Sequence, residues 1–137
     1  MKQEDKDLLL LDLCSRLPYG VKVESVFINL DTKEHKSCGI EVFDATSILM
    51  IRDGLGEFKP YLFPLSSMTE EQKEEYNSVC NKDLDALSEA VCNRTYVKTR
   101  IAMPLYYGID WLIANHFDYR GLIEKGLAID CTNLNIY

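Results

Sequence analysis

Hydrophobic residues change their period partway along this chain, and that change restricts what it can fold into. Val21 and Val23 alternate with Lys22 and Glu24, and Val26, Phe27 and Ile28 form a short buried run, so Val21 to Leu30 reads as a strand. Further on, Tyr76, Cys80, Leu84, Leu87 and Val91 recur at helical spacings of four, four, three and four positions. They share one face of a long helix. Strand and helix periods in separate blocks predict an α+β fold. The expectation is a small, mainly antiparallel sheet with three or four helices on one side, in a single domain over residues 1–137.

Punctuation residues place the remaining elements. Residues 3–16 carry Leu8, Leu9, Leu11 and Leu13 and end before Pro18, which predicts a helix with Tyr19-Gly20 as its exit. Asp31 to Glu34 is a turn. Ser37–Phe43 and Ser47–Arg52 then read as two further strands of a meander, closed by Asp53-Gly54. Between Glu57 and Met68, Pro60 and Pro64 argue against a central strand, so this apolar stretch reads as a crossing segment over the sheet. Thr69-Glu70-Glu71-Gln72 is a capping box that starts the long helix. Thr95–Met103 alternates like a fourth strand. Pro104 can open a helix with Leu105, Ile109, Leu112, Ile113 and His116 on one stripe, and Asp118 can cap a shorter helix that Gly126 ends. Leu127–Tyr137 reads as a short terminal strand.

Charge and cysteine usage exclude several classes of function. A chain of 137 residues is long enough to bury about 70% of the surface its unfolded form exposes. The formal net charge of −7 opposes direct nucleic-acid binding, which depends on neutralising phosphates. Five cysteines are an odd number without paired metal spacing, so neither a disulfide framework nor a zinc cluster is expected. The acidic start has only a four-leucine run, short of a signal-peptide core, and no apolar run nears the roughly 20 residues of a membrane span. These features predict a cytoplasmic protein with no membrane partner.

The chemical motifs are sparse. Gly54-Leu55-Gly56 falls short of a phosphate loop, and there is no nucleophile elbow. No cofactor, metal ligand set or catalytic group is expected. Cys14, Cys80 and Cys92 fall on apolar helix faces, where thiols act as small hydrophobes. His116 admits two readings. One is a general base or ligand contact with Asp118 and Arg120 nearby; the other is a helix C-terminal residue that bonds the last carbonyls. The helix position alone accounts for it. Arg94, Lys98 and Arg100 form a basic cluster, and with Trp111, His116, Tyr119 and Arg120 they make a candidate ligand-binding set. Residues 68–93 hold seven acids against two lysines. Their leading members, Glu70, Glu71, Glu74 and Glu75, are the candidate partner-binding surface, set against the plainer reading of a solvated face.

The stretches LLLLDLCSRLPYGVKVE, KPYLFPLSSMTEEQKEE and IDWLIANHFDYRGLIEKGLAI resemble a family of small uncharacterised proteins from gut Bacteroides-type bacteria and their phages or prophages. The resemblance covers the beginning, the middle and the C-terminal third, and carries no catalytic or binding residue with it. It implies an intracellular accessory protein of a mobile element.

The expected function is a non-enzymatic binding protein that sequesters or blocks a host protein, such as a defence component. The apolar content of Glu57–Met68 points to a homo-oligomer. The alternative is a small-molecule binder that captures a nucleotide signal, with Tyr or Trp on the base and arginines on phosphate. A small hydrolase using His116 with a cysteine or carboxylate ranks below both, for want of a positioned nucleophile and base.

Overall fold

A computed structural model describes residues 1–92 and 106–137, with side chains for 1–82 and 107–137. The expected fourth strand at Thr95–Met103 lies outside the described residues. The fold is α+β, with four helices and a mostly antiparallel five-stranded sheet among the described residues. Its contacts group into two compact units: Met1–Leu65 with His116–Tyr137, and Ser66–Asn115.

The first unit opens with α1 (Gln3–Arg16), which has Glu4 and Asp5 in its positive first turn and Arg16 in its last. Pro18 lies in the short 3-10 turn beyond it, and Gly20 leaves that turn at φ +63°. The stripe α1 buries is Leu9, Asp12, Leu13 and Arg16, at i, i+3, i+4 and i+7. Leu11, given to the apolar face by the sequence, is 56% exposed, and Cys14 is exposed as well.

Strands β1 (Lys22–Ile28) and β2 (His35–Val42) form an antiparallel hairpin. At its turn the Asn29 side chain accepts hydrogen bonds from the backbone N–H groups of Asp31 and Thr32. The next segment is not a strand. Residues Ala45–Asp53 form helix α2, because Asp44 and Ser47 make a reciprocal capping box and Gly54 closes the helix at φ +70°. Ile48 and Ile51 then lie one turn apart on the core side. Strand β3 (Gly56–Pro64) pairs with β1 rather than β2, so the order is β2-β1-β3 and not a meander.

Pro60 sits inside β3, opposite Val23, despite lacking an N–H. Ile28 N–H donates to Leu55 O at 2.9 Å, which sets the alternation: Glu24–Lys59 and Val26–Glu57 are the hydrogen-bonded pairs, and Val23–Pro60 is not. The missing N–H therefore costs β1 nothing. Strands β4 (Phe117–Asp118) and β5 (Ile129–Asp130) each add a two-residue parallel pairing to β3.

The core of this unit joins Leu9 and Leu13 of α1, Val21, Val23, Phe43, Ile51, Phe58 and Leu62, with Leu122, Leu127 and Ala128. Phe58, Tyr61 and Leu62 are buried inside it. The apolar content of Glu57–Met68 is thus largely used within the chain, and it no longer argues for an oligomer.

In the second unit, Thr69 and Gln72 make the expected box: Thr69 N–H donates to Gln72 Oε1 and Gln72 N–H to Thr69 Oγ1, at 2.9 and 3.2 Å. Helix α3 (Glu70–Cys92) starts there, and it packs against α4 (Tyr106–Ala114). Leu112 and Ile113 are buried as expected, but Ile109 is exposed. Among the described residues no further helix comes after α4, so the shorter helix expected behind Asp118 is absent. After β4 the chain makes turns over residues 122–126, and Gly126 has φ +69°.

Candidate functional site

The polar centre of the first unit is built on α1. The Asp12 and Arg16 side chains are both wholly buried, and Arg16 grips Asp12 with two bonds: Nε to Oδ2 at 2.7 Å and Nη2 to Oδ1 at 3.1 Å. Arg16 Nη2 also donates to the carbonyl of Phe117 in β4 at 2.8 Å. Arg120 approaches the same carboxylate from the other side, Nε to Oδ1 at 3.3 Å, and its guanidinium lies 4.7 Å over the Tyr119 ring. One carboxylate thus faces two cations, and the cluster carries a net positive charge inside the fold.

Beside it, His116 sits at φ +60° and stacks on Tyr137, with ring centroids 3.9 Å apart and planes 10° from parallel. Tyr137 Oη donates to Tyr61 O at 2.9 Å and accepts from Lys22 N–H at 3.1 Å. Lys22 Nζ donates to the carbonyl of Ile136. Burial first, then the charges of Arg16 and Lys22, holds the His116 imidazole down to about 4. It is neutral at pH 7, and its buried Nδ1 bonds no helix carbonyl among the described residues. Asp118 does cap, but it caps a turn: its carboxylate accepts from Leu122 N–H and Ile123 N–H at 2.9 and 2.8 Å.

Three titratable groups near this centre are moved away from neutrality. His116 falls to about 4, burial pushes the Tyr137 hydroxyl up to about 12, and burial with the Asp130 charge pushes the Cys131 thiol up to about 11. A general base works best when its pKa lies near the working pH, and a nucleophilic thiol needs its anion. This arrangement suits holding and contacting far better than proton transfer. Among the described residues, no three His, Cys, Asp or Glu side chains gather to hold a metal, and no helix is long and apolar enough to cross a membrane.

No family model, curated protein or solved structure matches this chain. Its site is defined by its own residues.

The sequence-derived ligand set divides. Arg94, Lys98 and Arg100 lie outside the described residues. Trp111 is on α4 in the second unit, where its ring meets Tyr76 at 5.6 Å. Of the described members, His116, Tyr119 and Arg120 fall together, flanking β4 of the first unit. His116 Nδ1 and the Tyr119 hydroxyl are buried without a hydrogen-bond partner among the described residues, whereas the buried Arg120 Nε has the Asp12 ion pair alone. Glu70, Glu71, Glu74 and Glu75 are all exposed on the first two turns of α3, where Glu70 bonds Lys73 at 2.6 Å. Sequence reasoning missed Asp12 and Arg16. Their signal was present: both fall on the same helical stripe as Leu9 and Leu13.

Proposed function

We propose that this chain is a stoichiometric binding protein, which blocks or sequesters a basic protein partner through the acidic start of α3. The observation that carries this reading is the exposure of Glu70, Glu71, Glu74 and Glu75, whereas His116, Trp111 and Arg120 are engaged inside their own units. An acidic patch steers a basic partner and raises its association rate. The resemblance to proteins of Bacteroides-type bacteria and their phages would make that partner a host protein, such as a component of defence, met in the cytoplasm. Neutralising the patch (Glu70, Glu71, Glu74 and Glu75 each to Gln) tests the reading. Native mass spectrometry of the protein purified from its bacterium should show a basic protein that the variant loses, with helix content unchanged. Retention of the partner by the variant would sink it.

The unpartnered His116 Nδ1 and Tyr119 hydroxyl, with the Arg120 guanidinium beside them, favour a second reading, a small anionic ligand such as a nucleotide signal. Buried polar atoms are rarely left unpaired without a reason. A nucleotide that co-purifies with the wild type, and is lost with Arg120→Gln, would select this reading over the first.

A further inference from the structure

Strand β2 ends the sheet, and its second edge pairs with nothing among the described residues. The ladder determines which of its backbone groups are available. Asn29 N–H donates to Glu34 O and Phe43 N–H to Val21 O, each at 2.9 Å. The odd-numbered residues of β1 therefore bond β2, through Lys36, Gly39 and Glu41. Between Ser25 and Val26 the register slips by one, so Cys38 has no partner in β1, and Gly39 beside it takes φ +80°. His35, Ser37, Ile40 and Val42 are left turning their N–H and C=O groups to the open edge.

The spacing of those four residues reads the same in both directions about a point between Cys38 and Gly39. A bulge commonly spoils an edge for pairing. Here it lies at the midpoint, where it preserves the symmetry. We propose that β2 pairs antiparallel with β2 of a second copy about a two-fold axis at that point, joining two sheets into one. His35 then exchanges hydrogen bonds with the second copy's Val42, and Ser37 with its Ile40. All four open residues find partners in this register, and sliding it by two leaves half of them unpaired.

The side chains agree with the backbone. Lys36 comes opposite the second copy's Glu41 in the closer, non-hydrogen-bonded position, and the axis makes this contact twice. Both residues lie on the helix-bearing face, since Lys36 pairs with Phe27 and Glu41 with the buried Val23. On the other face Ile40 and Val42, 53% and 56% exposed, gain cover from the second copy's Ser37 and His35. An isologous contact of this kind closes on itself and stops at two.

The proposal is independent of the acidic-helix reading, and its test is separate. Light scattering across a concentration series should give a mass rising to twice 15.7 kDa. Lys36→Glu sets like charges opposite in both contacts and should weaken the dimer about tenfold. Adding Glu41→Lys should restore it, which a merely destabilised strand would not do. Ile40→Pro removes an outward N–H without touching the β1 ladder and should give a folded monomer. A single-chain mass for the wild type at every concentration overturns the proposal, as does a dimer indifferent to Lys36→Glu and Ile40→Pro.

Discussion

The guanidinium of Arg16 holds the Asp12 carboxylate with two hydrogen bonds one helical turn apart, and neither side chain reaches solvent. The pair ties α1 to β4 through the Phe117 carbonyl and offers Arg120 its counter-charge. It links the first helix to the corner that carries His116, Tyr119 and Arg120.

Asp12→Ala should destabilise the protein by about 3–5 kcal/mol, because it strands a buried cation. The apolar double variant Asp12→Leu with Arg16→Met should cost less than that single change, since the wholly buried Arg16 cation goes with its carboxylate and only the partly exposed Arg120 loses its counter-charge. Urea denaturation of both gives the comparison. A double variant less stable than Asp12→Ala would refute this account of the pair.

His116 gives the fold a pH dependence of definite sign. Its imidazole titrates near 6.5 when unfolded and at about 4 in the fold, where burial and the charges of Arg16 and Lys22 oppose protonation. Between those values the unfolded chain binds the extra proton, so this contribution is fully present above pH 6.5 and is lost as pH falls toward 4. His116→Phe keeps a ring against Tyr137 and removes the titration. The difference in urea midpoint between wild type and variant should shift in favour of the variant on going from neutral to mildly acidic pH. A constant difference would show that His116 does not titrate as described.

Tyr137→Phe keeps the stack and deletes the hydroxyl that bonds Tyr61 O and Lys22 N–H. We expect a loss of about 1–2 kcal/mol. Tyr137→Ala should cost more, and by opening His116 to water it should move the imidazole back toward 6.5. An NMR titration of the His116 ring reads that shift directly, and an unmoved pKa would reassign the cause to charge alone.

Thiol chemistry should separate Cys14 from Cys131. Cys14 is exposed, whereas Cys131 is buried with its thiol pushed up to about 11 by burial and the neighbouring Asp130. A chromogenic disulfide reagent should label Cys14 in the native protein and reach Cys131 only on unfolding. Equal labelling rates, read by mass spectrometry of the peptides, would contradict the burial.

Several elements are legible in the sequence because their causes are local. The helix before Pro18, the hairpin turn before Lys33 and the Thr69–Gln72 box each rest on hydrogen bonds or steric limits within a few residues, and such signals survive in any context. The capping role of Asp118 is legible for the same reason, although the segment it caps is a turn and not a helix. The Asp44–Ser47 box is equally local, but the β-branched and apolar residues beside it imitate a strand and mask it.

The features hidden from the sequence depend on partners far along the chain. Whether Pro60 belongs to a strand depends on the alternation of the ladder with β1, and that is set by pairing, not by Pro60 itself. Arg16 meets the carbonyl of Phe117, 101 residues along the chain, and that partner cannot be read from the helix that carries Asp12 and Arg16. The His116 imidazole is held down to about 4 only when it is buried and the charges of Arg16 and Lys22 are brought beside it. The sequence by itself determined where the chain can bend, cap and alternate, because those are nearest-neighbour constraints. Only the tertiary structure decided which polar groups leave water, because desolvation and charge are set by what packs across space.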